Sequence, residues 1–247
     1  MNKKTWTAFS AIREQYRTWI EEFRRSLPHL GALQQDLADR RSGPAYRVET
    51  PIVYNEALDE VTSKDDIRFI LVADNPGRRE QAAENRRYLV GPSGKLAEKF
   101  FRENPSLGID FRKNTLILNK TPIHTPRTAE LAELCSLGGE RIAQAIAASQ
   151  KAAACFLSAF HEVLAPIPVW IIGYSEMRTG GIFETYTETI RTWYKRRPRR
   201  KTELFFYRHF SMNQFTIDLR QKSLAGESVE ETLIRIGTAY RERILGE

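Results

Sequence analysis

Apolar residues follow two different patterns along this chain. From Thr5 to about Arg40, Trp6, Phe9, Ile12, Tyr16, Ile20 and Phe23 recur at helical spacing with Arg and Glu between them, which predicts amphipathic helix lying over a core. Pro28 interrupts that pattern, and Arg41-Ser42-Gly43-Pro44 reads as a loop leading to the first strand. Four later stretches are continuously apolar and short enough for strands: Ile67 to Val72, Thr115 to Asn119, Val169 to Tyr174 and Glu203 to Phe210. Helical patterns separate or follow them at Lys95 to Glu103, Ala129 to Ala165 with a split near Ser149 or Gln150, Phe183 to Tyr194, and Val229 to Ile244. Fully apolar strands alternating with helices predict an α/β fold, a three-layer α/β/α sandwich around a four-stranded, mainly parallel sheet. We expect one domain over 1–247, with a helical cover at 1–45, a core at 60–222 and a terminal helix at 228–247.

Composition narrows the class further. Cys135 and Cys155 are the only cysteines, so neither a disulfide framework nor a four-thiolate metal or iron-sulfur site can be built within one chain. The N-terminal stretch has no uninterrupted apolar run for a signal or membrane segment, which predicts a soluble, cytoplasmic monomer with no membrane partner. A formal charge of +7 favours polyanions, of which nucleic acid is the obvious intracellular example. The compact run from Lys195 to Lys201, KRRPRRK, reads either as a solvated linker or as a phosphate-contacting loop.

Candidate chemistry sits where strands end. The first strand empties into Ala73-Asp74-Asn75-Pro76-Gly77, the second ends at Asn119, and the fourth leads to His209. In parallel α/β folds the carboxyl edge of the sheet is where ligands bind, so Asn75, Asn119 and His209 are expected to converge on one pocket. Each has a bland reading: Asn-Pro-Gly is a strong turn signal, a strand-end Asn caps a loop, and a histidine is often a satisfied interior residue. Their ordered recurrence at three strand ends is what favours a site. His124 in a proline-rich loop is a weaker candidate, and His161 and His29 lack the spacing of a metal site.

Taken together, these motifs resemble the uracil-DNA glycosylase superfamily. Ala73-Asp74-Asn75-Pro76-Gly77 is similar to its Gly-x-Asn-Pro-Gly motif with Ala73 for the first glycine, and Leu116-Ile117-Leu118-Asn119 to its Leu-Leu-Leu-Asn strand. His209-Phe210-Ser211-Met212-Asn213 is similar to His-Pro-Ser-Pro with both prolines replaced, and Tyr88 to Gly94 to a Pro-Phe-Val-Gly-x-x-Gly stretch. The match covers roughly Ile67 to Asn213; the four cysteines needed for the iron-sulfur cluster of one branch are missing. The resemblance implies a DNA glycosylase that removes uracil or a related damaged base by hydrolysis, without cofactor or metal, with DNA as partner.

By the same resemblance Asn75 orients water, His209 stabilises the departing base, and Asn119 reads the base edge. Ala73, Asp74, Gly77 and Leu89, with Tyr88 as a second choice for stacking, line the base pocket. Ser93, Ser211, Met212 and Asn213 contact DNA, with Met212 or Phe215 as the wedge, and Arg199 and Arg200 join them from the basic run. Arg78 to Arg87 is expected to be a mobile loop over the pocket mouth. Two rivals stay open: a nucleic-acid-binding protein on this scaffold without excision, suggested by Ala73, Leu89 and Phe210, and an enzyme acting on a free nucleoside or nucleotide. The second is weakened by the lack of a glycine-rich phosphate loop.

Overall fold

The computed structural model describes residues 1–41 and 45–246; Ser42, Gly43 and Pro44 of the expected loop lie outside the described residues. Ten α-helices occur among them: α1 (Lys3–Ser26), α2 (Leu30–Asp39), α3 (Ala57–Glu60), α4 (Pro92–Glu103), α5 (Phe111–Asn114), α6 (Glu130–Leu164), α7 (Glu184–Lys195), α8 (Pro198–Lys201), α9 (Gln214–Lys222) and α10 (Val229–Leu245). The four strands are β1 (Phe69–Ala73), β2 (Thr115–Asn119), β3 (Val169–Ile172) and β4 (Leu204–Tyr207), all parallel, in the order β2-β1-β3-β4. The α/β class and the parallel sheet therefore stand as expected. Strand bounds tighten by a residue or more where Arg68, Gly173 and Arg208 bring polar or turn chemistry.

Nearly every strand residue is buried, which explains the unbroken apolar runs. On one face Phe101 of α4 packs against Phe69 and Trp170 at 5.4 and 5.6 Å between ring centroids. Phe215 of α9 meets Tyr207 there at 5.3 Å, and α10 lies on β4, where Gly237 sits directly against Phe205 and Tyr207. A side chain at Gly237 would strike Phe205. α6 packs on β2, α7 on α6, and the N-terminal α1 and α2 on α6. Phe9 and Phe160 seal α1 to α6 at 5.3 Å.

The long helix α6 corrects one expectation. It does not split at Ser149 or Gln150; the break is at Gly139, whose φ of 64° is left-handed. Ser149 and Gln150 are buried but satisfied: the Ser149 hydroxyl donates to the Ile146 carbonyl at 2.7 Å, and Gln150 donates to the Ile182 carbonyl at 2.6 Å. Partnered polar groups do not interrupt a helix. Among the described residues no helix is long and apolar enough to cross a membrane.

The order β2-β1-β3-β4 has one reversal. The chain leaves β1 toward β2, then crosses back beyond β1 to β3. Opposed connections leave a crevice beyond the carboxyl ends of β1 and β3.

Candidate functional site

That crevice is a cleft of about 1360 Å³. Of the expected site residues, Ala73, Asp74, Asn75, Gly77, Leu89, Ser93, His209, Ser211 and Met212 line it together.

Asn75 follows β1 directly in a turn clamped to the loop after β2. Its amide nitrogen donates to the Thr125 carbonyl and to the Thr125 hydroxyl, both at 2.9 Å. Both N–H bonds are thus spent on fixing the side chain, and among the described residues no donor reaches Oδ1. The oxygen is the half of the amide left for a ligand. His124 holds the same turn from below: its Nδ1 donates to the Pro76 carbonyl at 2.8 Å while Nε2 receives the Tyr46 hydroxyl at 3.1 Å. Burial pushes its pKa down to about 4, so it stays neutral. It is a satisfied interior histidine and a support for Asn75.

His209 is fixed in the opposite sense. The Ser211 backbone N–H donates to Nδ1 at 3.0 Å, so the neutral ring carries its proton on Nε2. Burial holds its pKa below the usual histidine value; the Asp74 carboxylate works against this and the Lys120 cation with it. A neutral imidazole donor thus stands in the cleft. The turn presenting it is anchored by Phe210, which stacks on Phe215 at 4.3 Å. Phe215 is core and not a wedge. Met212 is the reverse: φ is 51° and its side chain is 78% exposed at the cleft rim.

Other expectations need correction. Asn119 does not line the cleft; it is buried beside Ala73 in the sheet register, and neither amide atom has a hydrogen-bond partner. Tyr88 is buried with its hydroxyl on the Val53 carbonyl, because the backbone turns left-handed at Leu89 (φ 55°) and presents Leu89 to the cleft instead. Asn213 stands at the N-cap position of α9 without a side-chain cap bond, outside the cleft lining. Arg199 and Arg200 precede β4 and so lie at the amino edge of the sheet, the edge opposite the cleft, where Arg200 pairs with Glu203 at 3.0 Å. The segment Arg78 to Arg87 does border the mouth, but two buried side chains pin it. Glu80 accepts from the Gly77 N–H at 2.7 Å, and Gln81 accepts from Glu49 N–H at 2.6 Å and donates to the Arg47 carbonyl at 3.0 Å.

Three features had no counterpart in the sequence reading. Tyr46 lines the cleft and supplies the aromatic ring that Leu89 lacks, with the Arg78 guanidinium 4.5 Å from its centroid. Lys120, wholly buried, is ion-paired with Asp74 and donates to the Ile172 carbonyl at 2.6 Å; Thr128 donates to the second Asp74 oxygen at 3.0 Å. Gly173 (φ 81°) lets β3 approach so closely that any side chain there would overlap the Asp74 carboxylate. Asp74 and Lys120 thereby lock together the ends of β1, β2 and β3.

Glu80 is the third. Burial raises its carboxyl pKa to about 7, against hydrogen bonds from the Gly77, Leu89 and Gly91 backbone and the nearby Arg112 guanidinium. Unfolded, the group titrates near 4.5. Between these values the folded chain holds a proton the unfolded chain has lost, so Glu80 makes stability fall as pH rises from about 4.5 to about 7. Glu80→Gln removes this contribution. The stability of the variant relative to the parent is expected to climb across that window in urea titrations, and a pH-independent difference would count against the assignment.

The mouth of the cleft is charge-mixed: Arg47, Arg78, Arg79 and Arg127 stand among Glu49, Glu84 and Glu176. Ser93 enters from the first turn of α4, which begins at Gly91 without a side-chain cap. Gly94 allows this approach, since a methyl there would overlap the Leu89 carbonyl, which also accepts from Arg112 at 2.7 Å. We expect Gly94→Ala to lower stability by about 1 to 3 kcal/mol. An unshifted urea midpoint would contradict that packing. Among the described residues no group of three or more His, Cys, Asp and Glu side chains is arranged to hold a metal.

No protein-family model matches this chain, and no curated protein matches it. Function is therefore read from the cleft itself.

Proposed function

We propose that the protein is a DNA glycosylase of the uracil-DNA glycosylase type, hydrolysing the N-glycosidic bond of uracil or a related deaminated base swung into the cleft. The observation that carries this reading is the complementary fixing of two side chains. Asn75 has both N–H bonds engaged and its carbonyl oxygen left over, whereas His209 has its acceptor nitrogen engaged and its N–H left over. Heterolysis of the bond asks for that pair. The C1′–N bond breaks with its electrons going to the base, and negative charge gathers on the base O2, where the His209 Nε2–H is the stabilising donor. Water then adds to the cationic C1′, held by the Asn75 oxygen and losing its proton to solvent. A cationic carbon needs a positioned nucleophile more than a strong base, which an amide can provide.

Recognition follows the same logic. Tyr46 is the stacking surface, Met212 the wedge that fills the vacated position, and Ser93 and Ser211 the phosphate contacts beside the flipped nucleotide. Asn119, with donor and acceptor both unpaired, has the inventory to read a uracil edge. Its seclusion beneath the cleft is also the observation that favours a second reading, a nucleic-acid-binding protein on this scaffold without excision.

A direct assay separates them. Purified protein is incubated with single- and double-stranded oligonucleotides carrying uracil, hypoxanthine, xanthine or a thymine mismatch, and abasic sites are scored after alkali. Cleavage at one of these bases is the expected result. Salt-sensitive binding with no cleavage on any substrate would overturn the glycosylase reading in favour of the second.

A further inference from the structure

The excess positive charge of this chain resides on one short segment away from the cleft. Lys195 to Lys201 holds six of the 38 basic residues; outside it 32 basic residues face 31 acidic ones, so the rest of the chain is close to neutral. The cleft mouth shares that balance. Attraction for a polyanion must therefore come chiefly from this run.

Its position is set by α7. The helix begins beside the site, where Phe183 lies 4.9 Å from the Lys120 ammonium, and its last turn reaches the opposite edge of the sheet. There Tyr194 bonds His161 at 2.7 Å, and His161 bonds Glu203 at 2.9 Å just before β4. Twelve helical residues separate the two ends, about 18 Å at the usual rise. Lys195, Arg196, Arg197 and Arg199 are all exposed. Pro198 starts α8, so the run folds back on itself and gathers its cations on one corner. Glu162 approaches Arg197 and Arg200 at 3.7 and 3.8 Å, and Glu203 pairs with Arg200. Among the described residues Glu162 and Glu203 are thus set against Arg197 and Arg200, whereas Lys195, Arg196 and Arg199 make no ion pair, so the corner keeps a net positive charge. The Arg197 guanidinium lies 4.2 Å from the Trp193 ring centroid, adding a flat cationic and aromatic surface.

We infer that the corner formed by Lys195 to Lys201 is a second nucleic-acid contact, binding the sugar-phosphate backbone at the far edge of the sheet from the cleft. The choice of nucleic acid over an acidic protein rests on the proposed function, which requires DNA on a molecule whose cleft carries little net charge to attract it. Backbone contacts made here hold a strand without reading its sequence and raise the local concentration of bases at the cleft.

The test is a triple variant, Lys195→Gln, Arg196→Gln and Arg199→Gln; none of the three makes an ion pair among the described residues, so the thermal midpoint should hold. Binding of a labelled single strand of about 30 nucleotides is measured over a salt series. We expect affinity to fall on the order of tenfold at 0.1 M salt, and the slope of log affinity against log salt to shrink by about 2, near 0.7 for each lost phosphate contact. Unchanged affinity and slope in the triple variant would overturn the inference, as would displacement of DNA by polyglutamate at equal charge, which would assign the corner to an acidic protein. Excision with an unaltered triple-variant slope sinks this inference alone; a lowered slope without excision by the parent sinks the glycosylase reading alone.

Discussion

Asn75→Ala is expected to slow single-turnover excision by a hundredfold to a thousandfold, on the order of the loss when a positioning contact or an acid-base group is removed. The side chain is held by two atoms of Thr125 and offers only one. Both amide hydrogens go to Thr125, and His124 locks the Pro76 carbonyl one residue on, so Oδ1 cannot rotate away from the cleft without breaking two hydrogen bonds. Alanine removes the water contact and leaves the Thr125 carbonyl and hydroxyl to solvent, which the open cleft can supply. The effect should therefore appear in the chemical step and leave DNA affinity nearly unchanged. Asn75→Asp is the informative companion: a carboxylate keeps the acceptor, but it loses the donors to Thr125 and is a stronger base. Its rate reports whether orientation or basicity limits the reaction. An Asn75→Ala rate within a few fold of the parent would remove water positioning from the account.

Much of this site could be read from sequence because its parts stand at strand ends, and buried parallel strands are unmistakable. The run from Thr115 to Asn119 became a strand with those same bounds, since five buried residues leave no other period to follow. What could not be read depends on contacts between distant segments. Lys120 looks like an ordinary polar residue after a strand; only the pairing of β1 with β2 sets it against Asp74, 46 residues away. Tyr46 precedes the recognisable motifs altogether and reaches the cleft through a hydrogen bond to His124. The place of Arg199 and Arg200 was legible too, because residues just before a parallel strand must lie at its amino edge, away from a site at the carboxyl edge. Glu80 offered a weaker signal: an acid three residues after Gly77 can return to that glycine's N–H, as it does.

Lys120→Met is expected to lower stability by about 3 to 5 kcal/mol, the usual cost of breaking a buried ion pair from one side. The ammonium is fully enclosed, and burial pulls its pKa below the ordinary lysine value while Asp74 holds it up. Methionine fills similar space but abandons both Asp74 and the Ile172 carbonyl, and Gly173 leaves no room for Asp74 to swing toward β3. Among the described residues the stranded carboxylate keeps only Thr128. Adding Asp74→Asn should restore a substantial part of the loss in urea titrations, because the uncompensated charge, more than the missing attraction, is what destabilises the single variant. Losses that simply add would show that the two side chains act separately. The same substitution should also reach the chemistry. Lys120 helps hold His209 neutral while Asp74 opposes it, so removing the cation alone raises the His209 pKa and protonates more of it near neutrality. The acidic limb of the excision profile is then expected to move to higher pH in Lys120→Met and to return toward the parent in the double variant. A limb that stays in place while stability falls would confine the pair to holding three strand ends together.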